Sequence, residues 1–211
     1  QFEYIRKSVK AFNLPSIELI NYEADDLIAT YAKKIIEAGA KATVISSDKD
    51  FMQLVSDNIR LYDPMKSKVL GEKEVIEKFG VRPNQVIDVQ SLAGDSSDNV
   101  PGVPGIGIKT ASELINKYKT LDTLLKKAEE IPQNKRRETL LANKDKALLS
   151  RKLVTLKDDV PVKDDLNSFI LKDVQKEKLY DFLREMEFNK LLSRAIGFYG
   201  ETGNKKIKSV N

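Results

Sequence analysis

Seven carboxylates in three short segments are the residues of this sequence whose types and spacing could do chemistry. In chain order they are Glu23, Asp25, Asp26, Asp48, Asp50, Asp95 and Asp98. Carboxylates brought into one pocket repel each other unless cations neutralise them. Oxygen-only ligand sets suit Mg²⁺ or Mn²⁺, and a pair of such ions can activate water and stabilise the leaving oxygen in phosphodiester hydrolysis. The three segments therefore suggest metal-dependent hydrolysis.

Each segment also has a purely structural explanation. The first lies where a helix begins, and acids favour a helix N-terminus because of the macrodipole. The second follows a strand, where Asp48 could cap the next helix. However, ligand sites gather at the carboxyl ends of strands, and residues i and i+2 of a continuing strand share a side. The third could be one turn of helix with both acids on one face, or simply a polar turn. Each structural explanation accounts for one segment only, whereas the metal hypothesis accounts for all three.

The composition excludes several other chemistries. The chain of 211 residues has no Cys and no His. It therefore has no disulfide, no thiolate nucleophile, no Cys-ligated zinc and no Ser-His-Asp triad. The lack of Cys is compatible with a reducing compartment, and no apolar run reaches the length of a membrane span.

A glycine-rich segment, residues 102–111, follows the third acidic segment. It reads Gly-Val-Pro-Gly-Ile-Gly-Ile-Lys-Thr-Ala, which is the helix-hairpin-helix signature. Such a turn presents free backbone N–H groups at a helix N-terminus, where phosphate binds readily. The alternative is an ordinary tight turn between helices. The residues predicted to contact DNA are Gly102, Gly105, Ile106, Gly107, Lys109 and Thr110.

The charge is divided along the chain in a way that fits nucleic acid. The formal net charge is only +4, but residues 21–100 hold 14 acidic and 10 basic residues, whereas residues 102–152 hold 6 acidic and 12 basic ones. Metal ligands beside phosphate-binding residues are what a nuclease needs. A solvated helix face is the simpler interpretation for most of the later basic residues, which are Lys135, Arg136, Arg137, Lys144, Lys146, Arg151 and Lys152.

The hydrophobic pattern predicts an α/β half followed by a helical half. Helices are predicted over 2–12, 22–38, 49–55, 72–79 and 83–92, and strands over 16–20, 42–46 and 59–62. This alternation argues for a largely parallel sheet. Beyond residue 101 only helices are predicted, near 108–117, 121–128, 135–152 and 174–193. The predicted division is an α/β core over 1–90, a helical DNA-binding subdomain over 91–200 and a disordered basic tail over 201–211.

Three linked motifs resemble a known family. They are Tyr22-Glu-Ala-Asp-Asp-Leu-Ile, Ser46-Ser-Asp-Lys-Asp-Phe and Gly94-Asp-Ser-Ser-Asp-Asn-Val-Pro-Gly-Val-Pro-Gly-Ile-Gly. In this order they closely resemble the 5′-nuclease domain of bacterial DNA polymerase I, in the flap endonuclease superfamily. The resemblance runs from about Gln1 to Gly200. It implies a PIN-like, Rossmann-like nuclease core, here partial, followed by a helix-three-turn-helix subdomain.

The resemblance also implies an activity, ligands and partners. The activity is metal-dependent 5′→3′ exonuclease and flap endonuclease cleavage, which removes RNA primers and 5′ flaps in DNA replication and repair. Two Mg²⁺ or Mn²⁺ ions are implied in the complete site, and a monovalent cation such as K⁺ on the hairpin carbonyls. The substrate would be DNA with 5′ flaps, nicks or RNA primers, and the protein a cytoplasmic monomer at the bacterial nucleoid. The implied metal ligands are Glu23, Asp25, Asp48, Asp50, Asp95 and Asp98, with Asp26 in an outer role.

One departure from the family pattern leads to a further expectation. In the family, a strand ending in a metal-binding Asp comes first, followed by a second acid and a helical arch. None of these precedes Gln1. We therefore expect the 211 residues alone to be a weak or inactive nuclease. Whether polymerase domains follow Asn211 stays open. The competing hypotheses are a DNA-binding module without catalysis and a structural metal-binding protein.

Overall fold

The computed structural model describes residues 2–202, and its chain forms two compact units. The sheet unit comprises residues 21–161, and the helical unit combines residues 2–20 with residues 162–202. Residues 201 and 202 have no regular secondary structure. The rest of the predicted basic tail lies outside the described residues. Among those described, no helix is long and apolar enough to cross a membrane.

A small sheet lies in the sheet unit. Its strands are β1 (Ala42–Ile45), β2 (Ile59–Asp63) and β3 (Lys68–Leu70), in the order β1-β2-β3. β1 and β2 are parallel, with Val44 opposite Leu61, whereas β2 and β3 are antiparallel. β3 was not predicted, because three residues are too few for a visible pattern. The parallel pairing of the predicted strands is as expected.

The predicted strand at residues 16–20 is wrong. The segment has no regular secondary structure and ends in a turn, and it pairs with no strand of the described sheet. Ile20 is 86% exposed, and Glu18 binds the Arg6 guanidinium through hydrogen bonds of 2.6 and 3.0 Å. The short apolar run after a proline has the composition of a buried strand. Whether such a run forms a strand depends on the neighbouring strands available for pairing.

The sheet unit also contains helices, most of which follow β3 in the chain. The ordered list is α2 (Ala24–Glu37), a 3₁₀ helix (Asp50–Leu54), α3 (Glu72–Phe79), a 3₁₀ helix (Pro83–Gln85), α4 (Val86–Ala93), α5 (Ile108–Tyr118), α6 (Leu121–Lys126), a 3₁₀ helix (Ala128–Glu130), α7 (Asn134–Ala142) and α8 (Lys144–Val154). The single helix predicted over 135–152 is two helices that meet at Asn143, which bonds back to the Thr139 carbonyl.

α4 is the centre of the sheet unit. It packs against α5 and α8, and its Val86, Val89 and Leu92 are fully buried. These side chains belong to a hydrophobic core that also includes Leu61 of β2 and Phe79 of α3. The end of α4 at Ala93 is therefore held rigidly, and the third acidic segment begins directly after it.

The helical unit contains α1 (Phe2–Ala11), a 3₁₀ helix (Leu166–Phe169), α9 (Lys176–Glu185) and α10 (Asn189–Tyr199). α9 packs against both α1 and α10, and its Leu179, Tyr180 and Leu183 form a small core. The single helix predicted over 174–193 is interrupted because Glu187 adopts a positive φ of 56°. A residue other than glycine rarely continues a helix in that conformation.

Candidate metal centre and nucleic-acid interface

Three of the predicted carboxylates come together in the sheet unit. Asp50 begins the 3₁₀ helix after β1, while Asp95 and Asp98 lie in the loop after α4. One carboxylate oxygen from each residue lies within 4.8 Å of the other two. Residues from two separate segments thus present anionic oxygens to a common space. That donor chemistry is what hard divalent cations prefer.

The third acidic segment, with Asp95 and Asp98, lies in a compact loop. We call residues 94–102 the acidic loop. Asp95 and Val100 form an antiparallel bridge, with N–O distances of 2.9 and 2.8 Å. The two ends of the loop touch, so that a Cβ on Gly102 would lie 2.5 Å from the Gly94 nitrogen. The buried Ser150 of α8 accepts a 2.9 Å hydrogen bond from the Gly102 N–H. Backbone contacts therefore fix the loop on α4 and α8.

Asp95 is neutralised from within the site. Its side chain is only 6% exposed, and its Oδ2 forms an ion pair with Nζ of Lys49. Ser97 donates to Oδ1 through both its backbone N–H and its hydroxyl. Burial opposes ionisation of Asp95, but the hydrogen bonds from Lys49 and Ser97 outweigh it and lower the pKa of the carboxyl. Asp95 is therefore ionised and already holds a cationic group.

Asp50 is held by a neutral donor instead. Nε2 of Gln90 donates a hydrogen bond of 2.6 Å to Oδ1 of Asp50. Burial raises the pKa of Asp50, the Gln90 hydrogen bond opposes that rise, and the charges of Asp48, Asp95 and Asp98 add to it. Acids that repel one another in a part-buried place are a feature of sites that bind cations or do catalysis.

Two other predicted ligands, Asp48 and Asp25, lie near Asp50 of this cluster. Asp25 lies near enough for Asp48 and Asp50 to act on its charge, because burial and then repulsion from Asp48, Glu23, Asp50 and Asp26 raise its pKa. Glu23 is the exposed N-cap residue of α2, without a side-chain capping bond. Whether Asp25, Glu23 and their neighbours bind metal stays a prediction.

Two of the predicted ligands also have structural partners. Oδ1 of Asp48 accepts the Asp50 N–H at 2.9 Å, and Oδ1 of Asp26 accepts the Lys157 N–H at 2.9 Å. β1 ends at Ile45, so the strand geometry does not continue through Asp48 and Asp50. The structural explanation for Asp48, a cap on the following helix, thus describes part of what its carboxylate does.

The repulsion on Asp25 predicts an effect of pH on stability. Its folded-state pKa lies above that of an unfolded Asp, about 4, so ionisation costs the folded state stability as pH rises through the folded pKa. In EDTA, Asp25→Asn should therefore raise the melting temperature at pH 7 and have little effect below about pH 4.

Asp63 provides the control of opposite sign. Burial opposes its ionisation, yet hydrogen bonds from the backbone of Lys66 and Met65 and the Lys66 ammonium lower its pKa. Its contribution is present above the unfolded pKa and lost as pH falls, so Asp63→Asn should lower the melting temperature at pH 7. If the melting temperatures of both variants shift in the same direction at pH 7, this account of Asp25 is contradicted.

The sequence analysis missed two residues of the site, Lys49 and Gln90. Lys49 had a visible signal, because a base flanked on both sides by acids is placed to neutralise them. Gln90 had a weaker signal, as a polar residue among the apolar side chains of α4. The partner of each could be found only from the structure.

The predicted DNA contacts lie at the start of α5. Gly107 is its N-cap, and Ala111 donates back to the Gly107 carbonyl at 2.9 Å. Gly105, Gly107 and Lys109 are exposed, and Thr110 is partly so. The first backbone N–H groups of a helix have no partner within it, so this end of α5 offers donors to an anion.

Two further residues of the predicted DNA contact are buried. Ile106 is 5% exposed, and its N–H bonds to the Val103 carbonyl at 3.0 Å. Gly102 is also buried, with its N–H on Ser150. Both placements favour a structural role, so the predicted phosphate contacts that remain are the exposed Gly105, Gly107 and Lys109 and the part-exposed Thr110.

Several later basic residues are paired with neighbours in the sheet unit. Arg151 forms an ion pair with Asp122 at 2.9 Å, and Arg137 donates to the Ile131 carbonyl at 2.9 Å. These contacts are what the solvated-face interpretation expects of surface helices. Residues 102–111 stay the predicted phosphate contact.

Comparison with known proteins identifies the family. Residues 1–80 match a model described as the 5′-3′ exonuclease N-terminal resolvase-like domain, and residues 81–177 match the 5′-3′ exonuclease C-terminal SAM fold. A 5′-3′ exonuclease of Aquifex aeolicus is 36% identical to this chain over 98% of its length and 70% of the relative. The chain therefore belongs to the 5′-3′ exonuclease family.

Other relatives are much longer proteins. DNA polymerase I of Rhizobium leguminosarum is 55% identical over 92% of this chain, and that of Bacillus caldotenax is 37% identical over 92%. The chain spans 19% and 23% of these two relatives. It is thus similar to one part of a DNA polymerase I.

Solved structures share the fold. A bacteriophage T5 flap endonuclease, in a complex with DNA and metal ions, superimposes with a TM-score of 0.65 at 23% identity, over 88% of this chain and 68% of that one. The catalytic core of Rad2 in complex with DNA substrate has a TM-score of 0.61 at 16% identity, over 92% and 69%. The predicted α/β nuclease core with a helical subdomain is confirmed.

Proposed function

We propose that this chain is the nuclease part of a DNA polymerase I-type protein, a metal-dependent 5′→3′ exonuclease and flap endonuclease. It would hydrolyse phosphodiesters to remove RNA primers and 5′ flaps in replication and repair, in the bacterial cytoplasm. The observation that carries the proposal is the convergence of Asp50, Asp95 and Asp98. Family membership and the relatives' printed activity support it.

Asp50, Asp95 and Asp98 would hold the divalent cation, Mg²⁺ or Mn²⁺. The fit is chemical: the donors are all carboxylate oxygens, and Asp95 already pairs with an ammonium group. Asp25 and Asp48 lie near enough to Asp50 to interact with its charge, and together with Glu23 they would serve a second ion. When bound, such ions supply Lewis-acid stabilisation of charge and a lowered pKa for water.

The chain's own residues supply orientation and charge balance. Lys49 keeps Asp95 ionised and places a cation where a phosphodiester would approach the acids. Ser97 fixes the second Asp95 oxygen, and the bridge between Asp95 and Val100 fixes the backbone. A preorganised site of this kind does not have to reorganise when charge develops during the reaction.

The exposed hairpin would hold the sugar-phosphate backbone of duplex DNA without reading sequence. Gly105 and Gly107 have open space where a Cβ would be, so a backbone can approach closely. Lys109 adds a charge in the first turn of α5. The hairpin carbonyls would also hold a monovalent cation such as K⁺, as the resemblance implies.

Lys109→Ala is expected to weaken binding to duplex DNA because one phosphate contact is lost. The slope of the logarithm of the affinity against the logarithm of the salt concentration should become shallower by about one. Lys117→Ala is the matched control. It removes a second exposed lysine of α5, two turns further along and beside the Tyr118 ring. Fluorescence anisotropy over a series of salt concentrations measures both. Equal effects from the two variants would contradict the hairpin contact.

Cleavage separates this proposal from the competing one, a DNA-binding module without catalysis. Labelled 5′-flap, nicked and intact duplexes should be incubated with Mg²⁺, with Mn²⁺ and with EDTA, using the longest chain that carries these residues. We expect flap and nick substrates to be cleaved only with a divalent cation. Salt-dependent binding without any cleavage would favour the binding module.

A further inference from the structure

Gln90 of α4 is a buried glutamine that is only half satisfied. It is 2% exposed, and its Nε2 reaches Asp50 at 2.6 Å. The other end of the amide, Oε1, is also buried, and no donor in residues 2–202 reaches it. Buried polar atoms in folded proteins are almost always hydrogen-bonded. Gln90 therefore carries a desolvation cost that its own fold does not compensate.

Packing alone gives no reason for a glutamine at this position. Its helix neighbours Val86, Val89 and Leu92 are apolar and fully buried. A methionine has nearly the same shape as glutamine and would fill the space without an unpaired oxygen. A polar side chain retained here at a cost to stability points to a role in the site.

The position of Gln90 is central to the functional surface. It lines a cavity of about 420 Å³ together with Lys49 and Asp95 of the acidic cluster and Gly107 and Ile108 of the hairpin. All of these residues belong to the sheet unit. Gln90 therefore lies at the wall shared by the carboxylates and the predicted phosphate contact.

We propose that Gln90 is a positioning residue that orients the Asp50 carboxylate for divalent-cation binding. The inference rests on the proposed function, because it concerns the same cation. The two acids are held differently: Lys49 neutralises Asp95, whereas Gln90 fixes Asp50 with an uncharged donor. A neutral donor restricts the rotamer of Asp50 and leaves its full negative charge for the metal. Groups that orient ligands in this way influence metal affinity strongly.

Binding of Mn²⁺ to the 211-residue chain, measured by calorimetry alongside thermal unfolding, tests the inference. Gln90→Met should weaken Mn²⁺ binding by about tenfold. Its melting temperature without metal should change little, since removal of the unpaired oxygen offsets the lost hydrogen bond to Asp50. Ser91→Ala is the control on the same helix: Ser91 is fully buried, and among the described residues its hydroxyl bonds only to the Ile87 carbonyl. This variant should keep the wild-type Mn²⁺ affinity.

The outcomes distinguish a failure of this inference from a failure of the proposed function. A Gln90→Met protein that binds Mn²⁺ like the wild type, or that does not fold, overturns the inference, because the residue would then be structural or dispensable. In either case, wild-type Mn²⁺ binding that Asp50→Asn abolishes leaves the proposed function intact. Absence of Mn²⁺ binding by the wild type would overturn both.

Discussion

Asp98→Asn should lower the rate of metal-dependent flap cleavage by about 10³-fold or more. A metal ion contributes several kcal/mol of charge stabilisation, and each 1.4 kcal/mol or so is tenfold in rate. Asparagine keeps the shape of Asp98 but removes the negative charge that Asp98 adds to the cluster with Asp50 and Asp95. Asp98 is exposed, so the variant should fold normally. Single-turnover cleavage of a labelled 5′ flap, by the longest chain that carries these residues, measures the loss.

Asp57→Asn is the matched control for this variant. Asp57 is also an exposed aspartate of the sheet unit, in the connection that leads into β2. Its substitution should leave cleavage unchanged, and both variants should bind duplex DNA with wild-type affinity at the hairpin. Cleavage by Asp98→Asn at the rate of Asp57→Asn would exclude Asp98 from the metal centre.

Gly102→Ala should lower the free energy of unfolding by about 2–5 kcal/mol. Gly102 has a φ of +58°, and a Cβ there would lie 2.5 Å from the Gly94 nitrogen and 2.7 Å from the Ala93 carbonyl carbon. An Ala in the left-handed region costs roughly 1–2 kcal/mol, and overpacking against backbone costs roughly 1–3 kcal/mol more. The melting temperature should then fall by roughly 4–20 °C. The acidic loop would also move, so Mn²⁺ binding should weaken.

Two other glycines separate the causes of this effect. Gly105 has a φ of +75°, and no atom of residues 2–202 lies within 4 Å of a Cβ there, so Gly105→Ala should show only the conformational cost, roughly 1–2 kcal/mol. Gly107 has no positive φ, and no described residue lies within 4 Å of a Cβ there, so Gly107→Ala should cost only the poorer N-cap of α5, less than about 1 kcal/mol. Equal losses for Gly102→Ala and Gly105→Ala in thermal unfolding would show that contact with Gly94 does not matter.

The sequence predicted the parts of the site better than their assembly. The three acidic segments and the hairpin were visible because carboxylate and glycine patterns are local. Which carboxylates would converge was not visible, because Asp50 meets Asp95 and Asp98 across 40 or more residues. The roles of Gly102 and Ser150 were hidden for the same reason: their contact joins the acidic loop to α8.

The errors in the fold have the same origin. The run at residues 16–20 had the composition of a strand, but strand formation depends on a partner that the described sheet does not supply. The long helices predicted over 135–152 and 174–193 were interrupted at Asn143 and near Glu187, by turns that apolar spacing does not reveal. Helix existence was predicted correctly in both places, since it depends on periodicity within the segment.

Anomalous diffraction from crystals soaked in Mn²⁺ tests the central claim most directly. The claim is that Asp50, Asp95 and Asp98 together hold a divalent cation. We expect a strong anomalous peak at roughly 2.0–2.3 Å from carboxylate oxygens of these residues, and no peak there in crystals of Asp98→Asn. Wild-type crystals without a peak at this cluster, at a Mn²⁺ concentration that saturates the protein in solution calorimetry, would contradict the account.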